Sequence, residues 1–290
     1  MNKKDFPKIA FFGTPALAVW VLEVLKEGGI LPTLVITNPD APQGRKLVLT
    51  PSPVALWAEA HNIPLLKPAT LNDVEIVTAL QSSGCELFIV AAYGKIIPEK
   101  ILNIPKYKTL NVHPSLLPKL RGASPIRSAI LEDINPTGIS IMILTAGMDE
   151  GPILAQEVVH IPDAEWPLRG TALDSLLAHT GGKLLLQTLT PWIAGEITPK
   201  EQDHANATYS KKITKEMGLI NLKDDHYRNF LKIRAFDSWP GTYFFHEKNG
   251  IQIRIKIVDA EYKNGILHIT KIIPEGKRET DFHTFMKNLT

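Results

Sequence analysis

The chain has 290 residues, 44% hydrophobic and 21% charged, the balance of an ordinary globular protein with room for two domains. A single cysteine, Cys85, excludes a disulfide framework, and no apolar run approaches the roughly 18 residues that a membrane span needs. The net charge of +2 hides a gradient. Residues 1–210 hold 17 Lys and Arg against 20 Asp and Glu, a net −3, while residues 211–290 hold 15 against 10, a net +5 that suits a polyanionic partner. The start, MNKKDFPK, leads straight into a strand instead of a signal-peptide core, so a cytoplasmic location is expected.

Residues 8–13 (KIAFFG) read as a buried strand, Pro15 opens a helix over 15–27, Gly28-Gly29 ends it, and 33–37 (TLVIT) is the next strand. A βαβ opening predicts an α/β protein with a Rossmann-like, mostly parallel sheet. The first turn has one glycine where a dinucleotide site has G-x-G-x-x-G, so no such cofactor is expected. Residues 38–53 form a long loop with four prolines, and Arg45 and Lys46 at its middle are candidates for contact with an anionic substrate. A helix over 53–61, a strand over 64–67 and a helix over 72–82 follow. The apolar run 86–92 reads as a central strand whose loop, 93–98, holds Ile96 and Ile97 as candidate pocket residues.

Residues 109–113 (TLNVH) are the next strand, with Asn111 and His113 two apart and therefore on one face. Pro114 and Pro118 force the chain out of regular structure, Arg121-Gly122 adds a charge and a joint, and Ser124-Pro125 starts a helix to about 132. Strands over 137–144 and 152–160 bracket the loop T-A-G-M-D-E-G, in which glycines flank Asp149. A helix over 170–190 closes a first domain, 1–190. Residues 191–208 read as a linker. Residues 209–290 read as a small β-barrel domain of OB-like type, opening on Lys211, Lys212 and Lys215, with a helix over 224–236 and short strands over 242–246, 251–258 and 265–272.

Asn111 can donate an N–H to a developing oxyanion, His113 can accept or donate a proton near neutral pH, and Asp149 can orient the ring. No serine or cysteine sits in a nucleophile motif, and the His and acidic residues lack metal-ligand spacing. The set suits transfer of a carbonyl group to an external nucleophile through a tetrahedral intermediate.

The segment Asn111-Val112-His113-Pro114-Ser115-Leu116-Leu117-Pro118, followed by Arg121-Gly122 and by Asp149 in a G-M-D-E-G loop, resembles the folate-dependent formyltransferases. Gly13-Thr14-Pro15, P-D-x-P-x-G-R at 39–45, T-P-S-P at 50–53, A-A-Y-G-K-I-I-P at 91–98 and R-A-F-D-S-W-P-G at 234–241 are similar to the branch of that family that formylates methionine carried on initiator tRNA. The resemblance implies 10-formyltetrahydrofolate as donor, no metal, and Asn111, His113 and Asp149 as the catalytic trio. It implies a folate site on Ser115, Leu116, Leu117 and Pro118, on Ala92, Tyr93, Lys95, Ile96 and Ile97, and on Gly147. It places tRNA contacts on Arg45, Lys46, Arg121, Lys211, Lys212 and Lys215, in a protein expected to be a monomer. The chain departs from the family at Ala16-Leu17, where Asp-Phe is usual, at Arg45-Lys46-Leu47-Val48, where R-G-K-K is usual, and in a barrel shortened between Ile257 and Gly265. A sugar-nucleotide N-formyltransferase shares the strand–loop motif and is the alternative reading; a non-catalytic RNA-binding protein is a third.

Overall fold

The structure, a computed structural model, describes residues 6–44, 47–248 and 250–287. The chain opens with β1 (Ile9–Gly13), α1 (Ala16–Glu27) and β2 (Leu34–Ile36). The 38–53 segment is a β-hairpin rather than an irregular loop: β3 (Ala41–Gln43) pairs antiparallel with β4 (Val48–Thr50). Then come α2 (Pro53–Ala60), β5 (Leu65–Leu66), α3 (Val74–Ser82), β6 (Leu87–Ala91), α4 (Glu99–Leu102) and β7 (Thr109–His113). The middle of the chain holds β8 (Arg121–Gly122), α5 (Pro125–Leu131), β9 (Thr137–Ile143), β10 (Ile153–Val159) and α6 (Gly170–Ile193). The remainder is β11 (Tyr209–Ser210), α7 (His226–Ala235), β12 (Thr242–Lys248), β13 (Ile251–Lys263), β14 (Ile266–Pro274), β15 (Thr280–Asp281) and α8 (Phe282–Lys287).

These elements make two compact units, neither of them contiguous in sequence. One comprises 1–122, 137–159 and 175–209; the other comprises 123–136, 160–174 and 210–290. The first unit is built on a seven-stranded sheet in the order β10-β9-β7-β6-β1-β2-β5. Five strands are parallel, and β9 and β10 run antiparallel at one end. The innermost strands β1 and β6 are buried at every position, as a sheet covered on both faces requires. From β1 the chain moves outward through β2 to β5 and then returns to β6 beside β1, so the strand order reverses between β1 and β6. The C-terminal ends of strands around such a reversal form the binding edge of an open α/β sheet.

Helix α6 contains Gly181-Gly182 in its interior, where glycine costs about 1 kcal/mol relative to alanine. The reason is close packing. A Cβ on Gly181 would lie 2.6 Å from Val112 Cγ1 on β7, and one on Gly182 would lie 2.7 Å from Val24 Cβ on α1. The helix thereby seats the strand that carries Asn111 and His113. It runs three residues past the expected end, through Pro191, and the Trp192 indole N–H donates to the Tyr107 carbonyl at 2.8 Å. The stretch 191–208, expected as a linker, is laid along this unit: Lys200 exchanges backbone bonds with Ile153, and the Thr208 carbonyl accepts from the Arg121 N–H.

The second unit holds a four-stranded antiparallel sheet in the order β12-β13-β14-β15, with Ile255, Ile257, Ile269 and Ile272 in a core shared with Ile233 of α7 and Phe285 of α8. Strand β13 is 13 residues long, not the short strand expected, and register shifts around Asp259 bend it. It turns into β14 at Asn264-Gly265, whose φ angles of 52° and 79° are those of a type I′ hairpin.

Candidate active site

Strand β7 lies between β6 and β9, in parallel register with the first and antiparallel with the second. Asn111 is half-buried, and no protein group takes its side-chain amide among the described residues. His113 is only 4% exposed. Its Nε2 lies 3.1 Å from the Leu120 carbonyl oxygen, which can only accept, so Nε2 carries a proton. The other ring nitrogen, Nδ1, faces Asp149 Oδ2 at 3.8 Å. That is ion-pair range but too long for a direct hydrogen bond. A proton on Nδ1 therefore points toward the carboxylate.

Asp149 itself is held by the backbone: the Gly122 N–H donates to Oδ2 at 2.7 Å. Gly122 has a φ of 107°, a conformation that glycine reaches without strain. Leu120 and Asp149 are themselves in the left-handed region, with φ of 56° and 50°. Non-glycine residues seldom sit there, and such strain gathers at functional sites. One points its carbonyl at His113 and the other its carboxylate. Two turns of strained backbone thus aim both partners of the imidazole.

The turn after β7 is fixed from the antiparallel strands. Ser140 of β9 accepts from the Leu117 N–H at 3.0 Å and donates to the Ser115 carbonyl at 2.7 Å, and Gln156 of β10 donates to the Leu117 carbonyl at 2.9 Å. Ser115 is buried and its hydroxyl donates to the Lys119 carbonyl, so Ser115 shapes the turn from within and does not offer its side chain outward. Leu117 is buried with Met142 and Ile153, whereas Leu116 and Pro118 are half-buried.

The 92–97 loop divides in the same way. Tyr93 and Ile97 belong to the core, the Tyr93 ring meeting Phe12 edge-on at 5.6 Å, so neither side chain lines a pocket as expected. Burial pushes the Tyr93 phenol up to about 12. Its carbonyl accepts from Thr14 Oγ1 and Asn38 Nδ2, which ties the ends of β1, β2 and β6 together. Lys95 spends its ammonium on the carbonyls of Pro68 and Ala69. Ala92 is exposed, and Ile96 is 85% exposed. Met148 is 60% exposed and stands between half-buried Gly147 and Asp149. Apolar side chains left open on the loops that flank a polar trio suit a flat aromatic ligand.

Arg121 was expected among the tRNA contacts, and the structure corrects this. Its side chain is 1% exposed, and its Nε and Nη2 both donate to Gln202 Oε1 at 3.1 and 2.8 Å. Arg45 and Lys46 lie outside the described residues. The hairpin around them carries Leu47, Val48 and Leu49 exposed. Lys211, Lys212 and Lys215, in the second unit, are all exposed. No cluster of three or more His, Cys, Asp or Glu residues among those described is placed to hold a metal ion. Sequence reasoning missed Leu120, Ser140, Gln156 and Gln202, because a backbone carbonyl and side-chain hydrogen bonds to distant backbone groups leave no motif.

Strand β7 of this sheet thus carries an amide at Asn111 and an imidazole at His113, and the Asp149 carboxylate faces that imidazole. Residues 7–188 match the family described as formyl transferase, and residues 212–265 match the formyl transferase C-terminal domain. The methionyl-tRNA formyltransferase of Thermus thermophilus is 40% identical over 271 residues, 93% of this chain and 86% of that protein. That of Chloroflexus aurantiacus is 43% identical over 246 residues, 85% of this chain and 78% of that protein. Among solved structures, the methionyl-tRNA formyltransferase from Clostridium thermocellum superimposes with a TM-score of 0.58 at 18% identity, covering 95% of this chain and all of that one, a likeness of fold. The chain belongs to the methionyl-tRNA formyltransferase family.

Proposed function

We propose that this protein transfers the formyl group of 10-formyltetrahydrofolate to the α-amino group of methionine esterified to initiator tRNA, the step that prepares the initiator for translation, and that it does so as a cytoplasmic monomer. The observation that carries this reading is identity of 40% or more across most of the chain to methionyl-tRNA formyltransferases; it is supported by His113 Nδ1 facing Asp149 at 3.8 Å, with Asn111 two residues before His113 on β7. The donor fits the site: Asn111 offers an uncommitted amide at the strand end, and Ile96, Met148 and Leu116 offer apolar surface on neighbouring loops.

The α-amine of an aminoacyl ester is largely neutral near pH 7–8 and needs little activation. Its lone pair forms a bond to the formyl carbon while the carbonyl π pair moves to oxygen. Asn111 donates to that oxyanion, and the imidazolium that forms as His113, initially neutral, takes up the amine's proton stabilises it by charge. The amine must lose one proton, and the folate nitrogen must gain one as its bond to the formyl carbon breaks. His113 Nδ1, turned toward Asp149, is the protein atom placed to hold that proton between the two events. Its Nε2–H, committed to Leu120, keeps the ring from rotating. Catalysis is assigned to the segment 1–190 and acceptor recognition to 209–290, where Lys211, Lys212 and Lys215 would meet tRNA phosphates.

Two measurements test this. Labelled donor offered to a mixture of methionyl-tRNA and an amino-sugar nucleotide is expected to label the tRNA; label in the sugar alone overturns the reading in favour of a sugar-nucleotide N-formyltransferase. Replacing Lys211, Lys212 and Lys215 together by alanine is expected to weaken tRNA binding and to flatten its dependence on log salt by about 2–3 in slope, since each of the three phosphate contacts contributes about 0.7–0.9. An unchanged salt slope would remove these lysines from the interface.

A further inference from the structure

We infer that Gln202, in the stretch that reads as a linker, is a positioning residue for Asp149, and that buried Arg121 holds it in the one orientation that works. The inference rests on the formyl-transfer reading and extends it to two residues outside the catalytic trio.

The argument is one of donors and acceptors. Gln202 is 5% exposed, so each of its polar atoms needs a protein partner. Its Oε1 receives two N–H groups of Arg121, and a guanidinium has only donors to give. The Gln202 amide group must then face the other way, and there its Nε2 donates to the Asp149 carbonyl at 2.9 Å and the Gly151 carbonyl at 2.7 Å. Both amide protons are used. A flipped amide would set NH2 against guanidinium and oxygen against two carbonyls, four repulsive contacts in place of four bonds. Arg121 therefore decides which face Gln202 turns to the loop.

The loop needs such a hold. Asp149 adopts a φ of 50°, a sparsely populated and strained region for a residue other than glycine. A donor on its own carbonyl and a second on Gly151, two residues on, clamp both sides of that strained turn. At its other end the Asp149 carboxylate takes the Gly122 N–H. Gly122 follows Arg121 directly, so the same dipeptide fixes the carboxylate through its backbone and the loop through Gln202. A reacting group displaced by about 1 Å loses roughly a hundredfold in rate, which is the scale of effect that a lost clamp should produce.

The test uses the full chain and Gln202→Met, which keeps the volume and removes both donors and the acceptor. Expected is a kcat for methionyl-tRNA formylation down by about 10- to 100-fold, with KM for tRNA and for formyl donor within about threefold of the parent. In an Asp149→Ala background, followed in single turnovers with enzyme in excess, Gln202→Met should cause no further loss, because a residue that acts through Asp149 has nothing left to position. A kcat within threefold of the parent, a loss carried by KM, or losses that multiply in the double variant each overturn the inference. Should Gln202→Met fail to fold, Arg121→Lys, which keeps the charge but not the fork, decides by the same cycle, with an expected fall of about tenfold. A parent that does not formylate methionyl-tRNA would sink the functional reading; an active parent with an unimpaired Gln202→Met sinks only the role of Gln202.

Discussion

Asp149→Asn is expected to lower kcat by about 1,000- to 10,000-fold, the scale on which neutralising the carboxylate beside a catalytic imidazole acts in hydrolytic triads. The substitution isolates the charge. Asparagine tolerates a positive φ at least as well as aspartate, so the strained turn at 50° is not penalised. Its side-chain oxygen can still accept from the Gly122 N–H, now at 2.7 Å. What disappears is the negative charge 3.8 Å from His113 Nδ1. In its place stands a neutral amide that cannot balance an imidazolium. Melting temperature should move by no more than a few degrees, and donor and tRNA affinities should hold. Turnover within tenfold of the parent would show that the pair does not handle the proton.

His113→Ala is expected to reduce kcat by about 1,000-fold, within the range that a positioned acid–base group contributes. It differs from Asp149→Asn in also costing stability. The ring is buried, and its removal leaves a cavity and strips the Leu120 carbonyl of its donor, a loss of about 1–3 kcal/mol for an unsatisfied buried group. The variant should therefore melt lower while keeping tRNA affinity, because Lys211, Lys212 and Lys215 are untouched. Residual formylation should persist, since Asn111 still serves the oxyanion and the bound amine needs no base to attack. A His113→Ala protein that turns over at the parental rate would remove the imidazole from the mechanism. One that loses tRNA affinity in step with turnover would show the effect to be structural.

The hairpin within 38–53 shows why some structure escaped the sequence. Its strands are three residues each, one carrying Pro42, and five of the six strand residues are exposed. With no buried face there is no alternation to read, and prolines mask the rest. The bent β13–β14 hairpin escaped for a milder reason: Asn264-Gly265 is a strong turn signal, but the register shift at Asp259 breaks the period of two that would have carried the strand to it. Arg121 was misjudged because a charge beside glycine in a loop looks like surface, and only a buried amide partner makes its burial affordable.

Composition and pattern alone determined the parallel α/β sheet, the strand that carries Asn111 and His113 and the basic C-terminal part, while the class of chemistry came from the resemblance of the 111–118 motif. Those features follow from local rules: runs of apolar residues that must be buried, prolines that must interrupt, charges that stay in water. The tertiary structure decided the rest. It set the imidazole's proton inventory through Leu120, brought Asp149 to His113 from 36 positions along the chain, turned Arg121 inward, and bonded Gln202, in the expected linker, to the Asp149 carbonyl. Each depends on pairing between groups distant in sequence, where satisfying a buried donor or acceptor fixes geometry more tightly than any local preference.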